Sequence, residues 1–115
     1  MLKDYKPHLR DILASIETCQ RIVAGKSFAD FEGDEVVQLA VFHTLTIMGE
    51  AVGRIPEENR PAHPSINWQR MKNLRNILVH RYDEVELDTV WSVVQDKLDP
   101  LKSSVLELLK TTQGG

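Results

Sequence analysis

The sequence predicts an all-α fold, a bundle of four to five helices folded as a single domain over residues 1–115. Apolar residues recur three and four positions apart along most of the chain, and the strict alternation of a half-buried strand is nearly absent. Helix-starting and helix-stopping residues flank the periodic stretches. At 115 residues the chain is one domain long, enough to bury a core without disulfides or a structural metal.

The first helix is carried by Leu9, Ile12, Leu13, Ile16, Cys19 and Val23. Pro7 falls in its first turn, where a missing N–H costs nothing, and Gly25 follows the last periodic residue as a stop. Ser27 to Gly33 reads as a connector with at most one short helical turn. The second helix is carried by Val37, Ala40, Val41, Thr44, Ile47, Met48, Ala51 and Ile55. Asp34 and Glu35 lie in its first turn, where carboxylates suit the positive end of the helix dipole. Gly49 and Gly53 inside it each cost about 1 kcal/mol against alanine, so both are expected to mark the close approach of another helix. Pro56, Pro61 and Pro64 interrupt the chain as far as Ser65. Asn67 is expected to cap a third helix that buries Met71, Leu74 and Leu78 and runs out at His80-Arg81-Tyr82-Asp83. Asp88 is expected to cap a fourth, with Val90 or Trp91, Val94, Leu98, Leu101, Val105 and Leu108 inward and a kink or break at Pro100. Residues 111–115 read as a frayed tail.

Composition narrows the function. With 42% apolar and 27% charged residues the chain is globular rather than disordered. Cys19 is the only cysteine, which excludes an intrachain disulfide and a cysteine-rich zinc site. The longest uncharged stretch, Val36 to Gly49, is shorter than a membrane span, and the charged N-terminus lacks the apolar core of a secretion signal. A cytoplasmic location with no membrane partner is therefore expected. The formal charge of −3 argues against a general nucleic-acid binder. That average conceals an asymmetry: Asn59 to Tyr82 holds Arg60, Arg70, Lys72, Arg75 and Arg81 with no carboxylate, against a balance of −8 elsewhere. A local +5 window can hold a few phosphates at short range, although a solvated helix face fits it too.

The end of the third helix gathers the residues that could carry chemistry. Asn76 and His80, four apart, lie about 40° from one another around a helix; Arg75 is about 140° from His80, a gap that its long stem can close. Tyr82 follows just past the helix. Arginine, histidine, an amide and a phenol at one terminus suit phosphodiester cleavage without a metal. Attack by the 2′-hydroxyl of RNA needs a base, an acid and a cation for the phosphorane oxygens, and arginine grips phosphate bidentately. One histidine per chain is short of two proton carriers, which a two-fold dimer joined at the third helices would supply. The same spacing also fits a capping histidine beside a surface arginine. His8 and His63, beside prolines, read as solvated, and His43 as a structural histidine at a helix contact. Trp68 and Trp91 read as core aromatics. No histidine pair or carboxylate array has metal-ligand spacing, and no glycine-rich phosphate loop or nucleophile elbow is present. No cofactor is expected.

At Arg75-x4-His80-x-Tyr82 the chain resembles the HepT family of HEPN-domain proteins, the toxin halves of HepT–MntA toxin–antitoxin pairs. Similar motifs follow in family order: Leu9-Arg10-Asp11-Ile12-Leu13 with Ile16-Glu17; Ser27-Phe28-Ala29-Asp30-Phe31; Ile47-Met48-Gly49-Glu50-Ala51; and His63-Pro64-x-Ile66-x-Trp68. They continue through Met71-x-x-Leu74-Arg75-Asn76-x-Leu78-Val79-His80, Val90-Trp91 and Leu98-x-Pro100-Leu101. The resemblance implies an all-helical HEPN fold that dimerises around the third helix, so that two Arg-x4-His motifs form one RNase site. It makes Arg75 and His80 the catalytic pair and Asn76 their polar support. It makes Tyr82 the acceptor of AMP from ATP, delivered by a cognate MntA-like nucleotidyltransferase antitoxin that silences the toxin. Adenylylation would place a bulky anion beside residues that must bind an RNA phosphate. Glu50 matches a family position and is expected at most to make a polar contact near the site. The sequence departs from the family at His43-Thr44, where a basic or amide residue is usual.

The leading expectation is thus a metal-independent endoribonuclease toxin acting on RNA as a homodimer. The alternative is a non-catalytic helical module that serves mainly as substrate and scaffold of the nucleotidyltransferase. A helical dimer with neither activity is the third possibility.

Overall fold

The computed structural model describes residues 5–56, 60 and 66–111. These residues form α1 (Lys6–Val23), α2 (Phe28–Glu32), α3 (Glu35–Arg54), α4 (Trp68–His80), a 3₁₀ turn (Tyr82–Glu84), α5 (Leu87–Asp96) and α6 (Leu98–Thr111). No strand occurs among them, as the periodicity predicts. Among the described residues six α-helices replace the expected four to five for two reasons: the connector forms a helix of its own, and the fourth expected helix is divided.

The connector is helical because it carries a complete capping box. The Ser27 N–H donates to the Asp30 carboxylate at 2.9 Å, and the Asp30 N–H donates to the Ser27 hydroxyl at 3.1 Å. These bonds hold the Asp30 carboxyl below its ordinary range. At the other end of α2, the side-chain amide of Gln38 donates to the carbonyls of Phe31 and Glu32, both at 2.9 Å, satisfying groups a helix end leaves open. The helix buries Phe31, whose ring centroid lies 5.1 Å from that of Trp91. Gly25 takes φ +75°, the left-handed conformation that ends α1.

The division of the last helix falls at Lys97, which caps α5, three residues before Pro100. Of the kink or break expected at Pro100, the structure shows the break: Pro100 sits in the first turn of α6, where its missing N–H has no intrahelical partner to lose. Asp88 is not the cap of α5. Glu86 holds that position, and the Asp88 carboxylate accepts from the Thr89 N–H at 2.8 Å within the first turn. Asn67 does cap α4, accepting from the Arg70 N–H at 2.9 Å.

α3 is the central element, packed against α1 on one side and α4 on the other. Two-sided burial explains why Phe42, Leu45 and Val52 are in the core beyond the single stripe read from the sequence. By length and composition alone α3 is long and apolar enough to cross a membrane, a test that the core helix of a globular fold also passes, and its uncharged stretch, Val36 to Gly49, remains shorter than a span. α6 closes against α1 in antiparallel register, with Gln20 donating to Asp99 at 2.7 Å and Lys102 3.5 Å from Glu17. The whole measures 48 × 28 × 21 Å. Cys19 is buried between α1 and α3; burial raises its thiol pKa, against a smaller lowering by its hydrogen bond with Thr44. His63 and residues 112–115 lie outside the described residues.

Candidate active site

Two helix faces with the same spacing meet at the candidate site. α3 presents Gly49, Glu50, Gly53 and Arg54, and α4 presents Lys72, Arg75 and Asn76; together they line an open cleft of about 300 Å³. The helices approach this closely because Gly49 has no side chain. A Cβ there would collide with that of Arg75 and stand 2.9 Å from its Cγ and 3.0 Å from the Met71 carbonyl oxygen. Gly49 therefore has the role expected of it. Gly53 does not: a Cβ there would meet nothing within 4 Å. It opens toward the cleft instead of admitting another helix.

Arg75 is drawn across α3 by this packing. Its Nη2 donates to Glu50 Oε2 at 3.4 Å and its Nη1 to Asn76 Oδ1 at 3.1 Å. Its Nε is buried and has no acceptor among the described residues. The Arg75 and Glu50 side chains are 30% and 40% exposed. A long, half-exposed ion pair of this kind contributes about 0–1 kcal/mol, while a phosphate would accept shorter, charge-assisted bonds from the same guanidinium. The arrangement orients Arg75 while leaving it available to an anion.

His80 is the last residue of α4, and its side chain is exposed. The Arg81 N–H closes the helix on the Ile77 carbonyl at 2.8 Å, after which the chain turns and starts the 3₁₀ segment at Tyr82. Tyr82 is 58% exposed. Neither the His80 nor the Tyr82 side chain has a hydrogen bond or ion pair among the described residues. The structure thus gathers Arg75, Asn76 and Glu50 into one cluster and leaves His80 and Tyr82 facing solvent at the end of the same helix.

The remaining expected positions sort clearly. His43 is exposed rather than packed at a helix contact, because seven residues before Glu50 places it on the same face of α3, about 10 Å away along the axis. Its neighbour Thr44 is the buried one, donating to the Val41 carbonyl at 2.9 Å. His8 is half-buried, not solvated, and its Nδ1 has no partner among the described residues. Trp68 and Trp91 pack partly buried against the core, as expected. Of the basic window, Arg60 is committed to the end of α3, its Nε donating to the Ile55 carbonyl at 3.1 Å, while Arg70 and Arg81 are exposed. Arg54 lies outside that window and was missed. The four-residue spacing from Glu50, repeated by Gly49 and Gly53, was the available signal. No group of three or more His, Cys, Asp and Glu side chains that could hold a metal ion occurs among the described residues.

The described residues thus form an all-helical domain whose fourth helix presents Arg75 in a cleft and His80 at its exposed end. Comparison with known proteins gives that domain its family. A model of the ribonuclease HepT-like family matches residues 12–108, and the chain belongs to that family. It is 34% identical over 110 residues to the protein named "Probable ribonuclease HepT" of Thermococcus cleftensis, covering 96% of this chain and 100% of that one. It is 33% identical over 109 residues to a protein of Caldanaerobacter subterraneus subsp. tengcongensis whose name assigns it as an RNase, covering 95% and 97%. A relative in Methanocaldococcus jannaschii, named for both a gamma-glutamylcyclotransferase and an RNase, is 34% identical over 110 residues. The match covers 96% of this chain and 50% of that relative. No solved structure matches the chain.

Proposed function

We propose that this protein is a metal-independent endoribonuclease toxin, silenced when a partner nucleotidyltransferase adenylylates Tyr82. The observation that carries the reading is Arg75, fixed against Gly49 and Glu50 but weakly held, on the helix that ends in an exposed His80. Two protomers joined at α4 bring two such ends together. Ile77 and Val79 of that helix, 41% and 42% exposed, supply apolar surface for the contact. One His80 takes the proton of the RNA 2′-hydroxyl as its oxygen attacks phosphorus. Arg75 balances the charge on the phosphorane oxygens. The partner's His80 gives a proton to the departing 5′-oxygen, leaving a 2′,3′-cyclic phosphate and a 5′-hydroxyl. The exposed Tyr82 phenol attacks the α-phosphate of ATP in the nucleotidyltransferase, releasing pyrophosphate and gaining AMP. The added anion stands two residues from His80 and repels RNA. The cytoplasm is the compartment this reading requires.

The test is cleavage of RNA by purified protein, with His80→Ala and Arg75→Ala as companions. Each substitution is expected to abolish cleavage and growth arrest while leaving the helical circular dichroism unchanged. Undiminished cleavage by the His80→Ala protein would reject the mechanism. A second reading, a non-catalytic substrate and scaffold of the nucleotidyltransferase, is favoured by one observation: among the described residues no side chain hydrogen-bonds the His80 imidazole. It predicts AMP-sized mass increments on wild type but not Tyr82→Phe, with no RNA cleaved by either.

A further inference from the structure

The cleft beside Arg75 contains more cationic charge than the proposed reaction uses. Arg54, Lys72 and Arg75 line it against the single carboxylate of Glu50, which is already paired with Arg75. Lys72 is half-buried and Arg54 is exposed, and neither has a hydrogen-bond or ion-pair partner among the described residues. Lys72 lies eight residues before His80, about 12 Å along the helix axis, so the two cations stand away from the proton-transfer end. The floor is open at Gly53, where an added Cβ would meet nothing within 4 Å. At about 300 Å³ the cleft is at the lower edge of ligand-sized pockets, large enough for a sugar-phosphate unit.

We infer that the α3–α4 cleft is a second phosphate subsite, in which Lys72 and Arg54 bind an RNA backbone phosphate neighbouring the one held by Arg75. This rests on the reading of the chain as an RNA-cleaving enzyme and adds the path of the strand, which runs from the His80 end of α4 toward the end of α3. Recognition is of backbone charge alone, because the lining offers one amide, Asn76, already engaged by Arg75.

The test is binding of a fluorescein-labelled 2′-O-methyl RNA 12-mer, which lacks the attacking hydroxyl and is not cleaved. Lys72→Ala and Arg54→Ala are each expected to weaken binding roughly fivefold, equally for two unrelated sequences. Each should lower the salt slope by about 0.7. Gly53→Leu, which projects a side chain from a position where a Cβ has open space, should weaken binding as well. Lys26→Ala, in the connector between α1 and α2 and outside the cleft lining, should bind as wild type does. Unchanged affinity and slope in both cation variants would overturn the subsite, as would loss of inorganic phosphate binding with RNA binding intact. Failure of the wild type to bind RNA also overturns it. Cleavage by wild type and its loss in Arg75→Ala are read separately, so the subsite can fall while the enzymatic reading stands.

Discussion

The stem of Arg75 lies where Gly49 would carry a side chain. A single missing methyl group on α3 thus sets the position of the guanidinium on α4. Glycine in a helix interior is ordinarily replaced by alanine with a gain of about 1 kcal/mol. Here the sign reverses. Gly49→Ala should destabilise the fold by roughly 1–3 kcal/mol through overpacking, as a lower urea midpoint, and should reduce RNA cleavage by displacing Arg75.

Gly53, one turn on, is the opposite case, since an added Cβ meets nothing within 4 Å. Gly53→Ala should stabilise the protein by about 1 kcal/mol. A chemical-denaturation curve shifted to higher urea checks this, and an unchanged or lower midpoint would contradict it.

Glu50 divides into two effects that different substitutions separate. Glu50→Gln keeps an acceptor for Arg75 and removes a negative charge from the cleft, so RNA binding should tighten with stability altered by less than about 1 kcal/mol. Glu50→Ala removes the acceptor too and should lower kcat, because Arg75 loses its orientation. Parallel KM and kcat measurements distinguish them.

Acid should weaken the cap of α2. The backbone and hydroxyl of Ser27 hold the Asp30 carboxyl below its ordinary value of 3.8. A lowered folded-state pKa contributes stability that is fully present well above 3.8 and is lost as the pH falls through the folded value. Asp30→Asn should therefore show a smaller loss of stability between about pH 5 and pH 2 than wild type, in denaturant midpoints measured across that range.

The periodic stretches other than α3 were legible in the sequence because each has one buried stripe. The inward residues of α1, from Leu9 to Val23, lie where the spacing puts them. The reading was incomplete on α3, whose two buried sides blur a single stripe and hide Phe42, Leu45 and Val52. The α2 cap depended on a reciprocal pair, Ser27 and Asp30, in which aspartate stands where glutamate is usual. Asp88 failed as a cap because Glu86, two residues earlier, leaves the helix first. At the site, spacing on one helix grouped Arg75 and Asn76 with His80 and Tyr82, whereas the hydrogen-bonded cluster is Arg75, Asn76 and Glu50, whose meeting depends on how α3 packs against α4. Arg54 was not legible, because its place in the cleft depends on which faces of α3 and α4 meet.

The antiparallel closure of α6 on α1, through Glu17 with Lys102 and Gln20 with Asp99, continues along both helices and sets the beginning of α1 beside the end of α6. A domain whose chain enters and leaves at one end behaves as a cassette. It can be joined to another protein, or inserted in one, through a single hinge point without parting the helices that form its cleft.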